Sequence, residues 1–170
     1  MKIRSATPED FEAIRAVARE TWHDTYDELD AETIEYTVEN WYTDDSMPLE
    51  APGTVVLVAE TEADGSASSR TQSDGDVVGF THAVVQGEQA DILRMYVHPD
   101  HQGEGVGSAL HERLLAAIEG DDVDRVRSFD FSFNDVSRAF YEGLGFEKTG
   151  EDEVEIDGEF YPEAVYTLER

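Results

Sequence analysis

Apolar residues recur along the chain with two different periods. Stretches with a period near 3.6 read as helices, and shorter stretches that alternate read as strands. Phe11, Ile14, Val17, Ala18 and Trp22 form the first helical stripe, opened by Thr7-Pro8-Glu9-Asp10. That opening puts a hydroxyl at the cap, proline at the first helical position and acids in the first turn. Ile34, Val38, Trp41 and Tyr42 predict a second helix from Ala31 to Tyr42, capped by Asp30. Val106, Leu110, Leu114 and Ile118 predict a third that ends before Gly120. Val136, Phe140 and Leu144 predict a short fourth, capped by Asn134-Asp135 and closed by Gly143 and Gly145.

Strands are expected at Met1–Ala6, Thr54–Glu60, Val77–Val85, Ala90–Val97 and Asp124–Phe133. A final hairpin, Glu147–Ile156 and Phe160–Leu168, turns at Asp157-Gly158. Period two places Asp91, Leu93, Met95 and Val97 on one face of their strand. A helix separates Ala90–Val97 from Asp124–Phe133, so those two strands are expected to be parallel, with a right-handed crossover. The stretch 61–76 has no large apolar residue and reads as a flexible loop. No repeat and no compositional break divides the chain, which reads as a single domain over 1–170.

The most informative stretch is Ala90 to Leu110. A strand stops at His98-Pro99-Asp100, a glycine-rich turn follows as Gln102-Gly103-Glu104-Gly105-Val106-Gly107, and the third helix begins. First-turn N–H groups of a helix lack internal partners and carry about half a positive charge. Glycines let backbone approach a bulky anion and permit positive φ. The stretch therefore predicts a phosphate or pyrophosphate cradle. It has no Gly-Lys-Ser/Thr, and Ser108 stands where a dinucleotide fingerprint needs glycine or alanine.

Charge and composition narrow the partners. The 170 residues hold 40 acids against 12 bases, a formal net charge of −28. Such a surface repels nucleic acid and anionic lipid. The acids are spread along the chain and lysine occurs only at Lys2 and Lys148, a composition that resembles proteins of salt-accumulating halophiles. A cytoplasm loaded with salt is the expected setting; a specific acidic binding face is the alternative. Cysteine is absent, which excludes disulfides, thiolate metal sites and a covalent cysteine intermediate. MKIRSATPED has no apolar run of the signal-peptide kind, and no segment is long enough to span a membrane. His98 and His101 lack a third ligand, and His111-Glu112 lacks the second histidine of a zinc protease motif, so no metal is expected.

Gln102-x-x-Gly105-x-Gly107, following a strand that ends Tyr-Val-His-Pro, resembles the acetyl-CoA signature (Q/R-x-x-G-x-G/A) of the GNAT superfamily of N-acetyltransferases. Downstream, Asn134-Asp-Val-Ser-Arg-Ala-Phe-Tyr141-Glu-Gly-Leu-Gly145-Phe146 resembles a second motif of that family, with serine at 137 where alanine is commoner. One helix and one strand separate the motifs, as in the family. The resemblance spans the chain and is strongest from Val77 to Phe146. It implies an α/β (α+β) fold: a mixed, mostly antiparallel sheet flanked by helices, whose two parallel central strands splay apart around acetyl-CoA.

The resemblance also implies roles. Gln102, Gly103, Glu104, Gly105, Val106, Gly107 and Ser108 would hold the diphosphate, and main-chain groups of Met95, Tyr96 and Val97 the pantetheine arm. The Val97 amide would face the thioester oxygen, and Asn134 would contact the coenzyme or merely cap its helix. Tyr141 would be the general acid on the departing sulfur, or a packing residue. Asp91 would be the base that deprotonates the amine through water, with Glu28 and Glu32 as alternatives. Arg94, Arg113 and Arg138 would lie near the coenzyme phosphates. The implied activity is acetyl transfer from acetyl-CoA to a primary amine by direct attack in a ternary complex. A catalytically silent acyl-CoA sensor and an acidic interaction protein are the competing readings. The acceptor would be a peptide or small-molecule amine, and homodimers are common in the family.

Overall fold

The computed structural model describes residues 2–25, 29–43, 47–49, 51–61, 77–118, 123–132, 135–156 and 158–169. Seven strands form one sheet: β1 (Lys2–Ser5), β2 (Thr54–Glu60), β3 (Val77–Gln86), β4 (Gln89–Val97), β5 (Arg125–Phe131), β6 (Glu147–Ile156) and β7 (Glu159–Glu169). Their order is β1-β2-β3-β4-β5-β7-β6. Every neighbouring pair is antiparallel except β4 and β5. Four helices accompany the sheet: α1 (Phe11–Thr25), α2 (Ala31–Trp41), α3 (Val106–Ile118) and α4 (Asp135–Gly143). This is the mixed, mostly antiparallel architecture expected, and the two parallel strands fall where the crossover helix placed them.

The sheet separates two cores. On one face α1 and α2 bury Ile14, Val17, Trp22, Ile34, Val38 and Tyr42 against Val58, Phe80 and Phe131. On the other, α3 and α4 bury Leu110, Leu114, Ile118 and Tyr141 against Ala83, Ile92, Val126 and Tyr166. Each fully buried side chain of this size contributes about 1.5–3 kcal/mol. The stripes of α1, α2 and α3 read from the sequence are thus the buried or partly buried faces, and of the fourth stripe Phe140 and Leu144 are partly buried. Asp30 caps α2 by accepting the Thr33 N–H at 2.8 Å, as its position predicted. Trp22 and Tyr42 are core residues, whereas Tyr36 is 53% exposed. Tyr26 and all but the first residue of the expected loop at 61–76 lie outside the described residues.

Two features of β4 position the site. Its parallel pairing with β5 covers only Gln89↔Arg125 through Ile92↔Ser128. Beyond that β4 stays with β3, to Gly79↔Val97, and β5 stays with β7, to Phe131↔Glu163. The strands therefore diverge, as the resemblance implied. The second feature is a bulge: Ala83 pairs with Ile92 and His82 with Arg94, so Leu93 is an extra residue. An extra residue bends its strand and increases its twist, and here it falls one position after the last β4–β5 pair.

The bulge corrects the alternation read from the sequence. Asp91, Leu93, Met95 and Val97 do not share a face. Met95 and Val97 pack with Ala90 and Ile92 in the α3/α4 core, Tyr96 packs in the α1/α2 core, and Leu93 is 41% exposed. One inserted residue reverses every side chain beyond it.

Candidate active site

A cavity of about 300 Å³ occupies the divergence. Met95, Tyr96 and Val97 of β4 form one bank, and Ser137, Phe140 and Tyr141 of α4 form the other. Gln102, Gly103, Gly105, Val106, Gly107 and Ser108 close one end, and Thr21 reaches in from α1. Most of the predicted coenzyme residues thus converge on one space. Glu104 is outside this lining; its exposed side chain pairs with His101 at 3.1 Å. Asn134 lies outside the described residues.

The bank formed by β4 carries main-chain groups with no strand beside them. His98 N donates to Val78 O at 2.8 Å. Antiparallel partners alternate between bonded and non-bonded pairs, so Tyr96 and Arg94 direct their peptide groups to β3. Met95 and Val97 direct theirs the other way, toward the space β5 has left. Val97 O accepts from Gln102 Nε2 at 3.1 Å and lies 3.3 Å from Thr21 Oγ1, whose hydrogen goes to Val17 O at 2.7 Å. Tyr96, expected to offer main-chain contacts, instead lines the cavity with its peptide groups engaged by β3.

The glycine turn runs through two residues in the left-handed region. Gly103 and Gly105 both have φ of +84°, the region that favours glycine. The first intrahelical bond of α3 runs from Ala109 N to Gly105 O at 3.0 Å. The N–H groups of Val106, Gly107 and Ser108 precede it and have no helical acceptor. A Cβ on Gly107 would meet the Phe140 ring at 3.0 Å, so any larger residue here requires that ring to give way by a few tenths of an ångström.

Tyr141 is buried, its ring stacked on Tyr166 at 5.7 Å and edge-on to Phe146 at 5.2 Å. Burial pushes its phenol well above the ordinary value; neighbouring Ser128 acts the other way, and the charges of Asp130 and Tyr166 add to the rise. Tyr141 therefore stays a hydrogen-bond donor at any physiological pH. On the same bank Ser137 Oγ donates to Asp130.

Asp91 is placed differently from its expected role. It does not line the cavity, and both its oxygens are taken by Arg127, with Nε at 3.0 Å and Nη2 at 3.1 Å. Gln89 adds a further bond at 3.1 Å. Glu28 is outside the described residues, and Glu32 sits exposed in the first turn of α2.

The arginines are also redistributed. Arg94 belongs to the opposite face, over the Tyr42 ring at 5.1 Å and bonded to His82 Nδ1 at 2.7 Å. Arg113 lines a separate pocket of about 240 Å³ with Ser5, Leu49 and Thr54. His98 and His101 meet edge-on at 6.1 Å, and among the described residues no group of three potential ligands could hold a metal. No helix among them is long and apolar enough to cross a membrane. Thr21, Ser137 and Phe140 were not anticipated as lining residues. Phe140 was legible as an apolar stripe position, but its proximity to Gly107 depends on how two helices pack.

A sheet opened between two parallel strands, with main-chain groups along one bank and a helix N-terminus at one end, is the arrangement that the resemblance to the GNAT superfamily implied. Residues 52–148 match the family described as the acetyltransferase (GNAT) domain. The chain belongs to this GNAT acetyltransferase family. It is 24% identical over 147 residues to a spermidine N(1)-acetyltransferase of Thermoplasma acidophilum, covering 86% of this chain and 88% of that one. It is 30% identical over 90 residues to the mycothiol acetyltransferase of Streptomyces coelicolor, 52% of this chain and 29% of that protein. The fold is similar to that of the PaiA N-acetyltransferase from Thermoplasma acidophilum in complex with coenzyme A, with a TM-score of 0.76, 22% identity and coverage of 95% and 96%. It is also similar to apo-form YjaB from Escherichia coli, with a TM-score of 0.70, 26% identity and coverage of 98% and 95%.

Proposed function

We propose that this protein transfers an acetyl group from acetyl-CoA to a primary amine by direct attack within a ternary complex. One observation carries the reading: β4 loses β5 after Ile92 while its Met95 and Val97 peptide groups, the α3 N-terminus and Tyr141 all border the same cavity. The N–H groups of the Gln102–Ser108 turn would hold the diphosphate, a task for which Gly103 and Gly105 supply the backbone shape. Met95 and Val97 would pair with the amides of the pantetheine arm as a missing strand would. When bound, acetyl-CoA supplies the thioester carbonyl.

Three tasks fall to the protein. Val97 N–H would donate to the carbonyl oxygen as charge gathers there; in other enzymes one such donor is worth about 10²–10³ in rate. Tyr141 would donate to the departing sulfur. Its raised pKa makes it a hydrogen-bond donor rather than a net proton source. The proton that the attacking nitrogen sheds balances the thiolate, so amine plus thioester gives amide plus thiol. The absence of cysteine fits direct attack. The amine must arrive neutral, which for a pKa near 10 costs about 4 kcal/mol at pH 7.

Asp91 is poorly suited to accept that proton, because Arg127 and Gln89 already occupy its oxygens. The related spermidine acetyltransferase and the net charge of −28 both favour a cationic amine, so spermidine is the first acceptor to try. The acid-rich, lysine-poor composition supports a salt-loaded cytoplasm as the setting.

The test is thiol release from acetyl-CoA at molar KCl with a panel of amines headed by spermidine. Release with one amine, lost in Tyr141→Phe, supports transfer. Coenzyme binding without turnover on any acceptor would make the protein a sensor, and no binding would remove the coenzyme altogether.

A further inference from the structure

The pocket around Arg113 lies at the end of the sheet where β2 outruns β1. The β1 ladder stops at Ser5↔Leu57, with one further bond from Ala6 N to Val56 O at 2.9 Å. β2 continues to Thr54, in register with β3 alone. Ser5, Thr54 and Arg113 supply polar side chains to the pocket, and Leu49, Val55 and Leu57 an apolar wall. With 40 acids against 12 bases, most arginines of this chain are engaged. Arg4, Arg19, Arg125 and Arg127 each hold a carboxylate, Arg15 a carbonyl and Arg94 a histidine. Arg113 has no such partner among the described residues, and neither does the hydroxyl of Ser5 or Thr54. Its helix neighbours three and four positions away are Ala109, Leu110, Ala116 and Ala117, so α3 offers it no acid. Arg113 is exposed, and a ligand reaches it directly from solvent.

We propose that this pocket binds a small monocarboxylate with a short aliphatic tail, its carboxylate on Arg113 and its tail against Leu49, Val55 and Leu57. A guanidinium presents a planar fork of donors that matches a carboxylate in two bonds. The Ser5 and Thr54 hydroxyls each have a hydrogen to give to the same anion. The apolar wall rewards a tail, which inorganic phosphate lacks. The volume, about 240 Å³, falls below the roughly 300–1,000 Å³ of sites for drug-sized ligands, so the ligand is small. The net charge of −28 does not forbid an anion here, because at molar salt the screening length is about 3 Å and the local groups decide. None of these residues lines the cleft beside β4, so the inference stands apart from the coenzyme reading.

The experiment follows backbone amide shifts of the full-length, nitrogen-15-labelled chain at molar KCl, titrated with three probes: isovalerate, isovaleramide and inorganic phosphate. Isovalerate should move the amides of Ser5, Val55, Leu57 and Ala117 to saturation and leave Met95, Val97 and Gly107 in place. Isovaleramide has the same shape without the charge and should bind at least tenfold more weakly; phosphate has charge without the tail and should do the same. Arg113→Gln should weaken isovalerate at least tenfold, and Arg113→Lys should recover part of the loss. Ala117→Leu keeps the arginine, adds bulk to the pocket lining, and should also weaken isovalerate, which serves if Arg113→Gln does not fold. Phosphate binding as tightly as isovalerate would reduce the site to a plain anion contact and overturn the proposal. So would isovaleramide binding equally well, shifts centred on the Met95–Gly107 cleft, an Arg113→Gln chain that binds unchanged, or no saturable binding by the unsubstituted chain.

Discussion

Arg127 on β5 reaches across the parallel pair to both carboxylate oxygens of Asp91 on β4, at 3.0 and 3.1 Å. The two residues are register partners, one pair before the ladder ends at Ile92↔Ser128. This bidentate pair clasps the strands one pair before they part. The guanidinium is held more firmly protonated than usual by its bond to Asp91. The carboxylate that a family resemblance marks as a base is thus built into the hinge of the opening.

Asp91→Asn should therefore keep acetyl transfer to spermidine within about threefold, while a general base would lose about 10²–10⁴. Its measurable effect should be on stability, a loss of about 1 kcal/mol, since the pair is partly exposed. Turnover and thermal denaturation measured on the same preparation separate the two roles.

Tyr141→Phe removes one oxygen and preserves the ring that stacks on Tyr166. The turnover number should fall about 10²-fold or more, with coenzyme A affinity within about threefold. Since the phenol stays protonated throughout, the wild-type rate should rise with pH as the amine loses its proton, with no fall assignable to tyrosine ionisation below pH 10. A descending limb near pH 8 that vanishes in Tyr141→Phe would refute this.

Gly107→Ala pushes a methyl group to 3.0 Å from the Phe140 ring, and that ring lines the cavity. Calorimetry should show at least tenfold weaker coenzyme A binding, together with about 1–2 kcal/mol of destabilisation from overpacking. Gly103→Ala meets no atom within 4 Å and incurs only the strain of φ +84°, about 1–2 kcal/mol.

His82 is 1% exposed, accepts from Arg94 at Nδ1, and is depressed to about 4 by burial and by the arginine's charge. Its unfolded-state value is near 6.5. Between those values the unfolded chain binds the extra proton, so stability falls as pH drops from about 6.5 to about 4, by roughly 3 kcal/mol in all. Denaturant titrations in this window should show a smaller pH slope for His82→Gln than for wild type. Identical slopes would show that the imidazole is already charged in the folded state.

Raising KCl from 0.1 to 1 M shortens the screening length from about 10 Å to 3 Å. With a net charge of −28, the melting temperature should climb over that range, and sodium sulfate at equal ionic strength should not be needed to produce the gain. A flat or falling curve would argue that the acids serve one binding face instead.

Sequence alone determined the features whose physics is local. The Ile14–Val17–Trp22 and Leu110–Leu114–Ile118 stripes are buried as their periods require, because a helix places those residues on one face whatever it packs against. Gly103 and Gly105 have the positive φ that their place in the turn demanded. Tertiary structure decided whatever depends on which residues of distant strands meet. The extra residue at Leu93 is visible only against its β3 partners, and it moved Asp91 off the face assigned to it and Arg94 to the opposite core. The Asp91–Arg127 clasp and the Ser137–Asp130 bond join residues 36 and 7 positions apart, across a register that no local pattern encodes. Periodicity shows which side of an element is buried, but the pairing of one strand with another is set by the whole packed sheet.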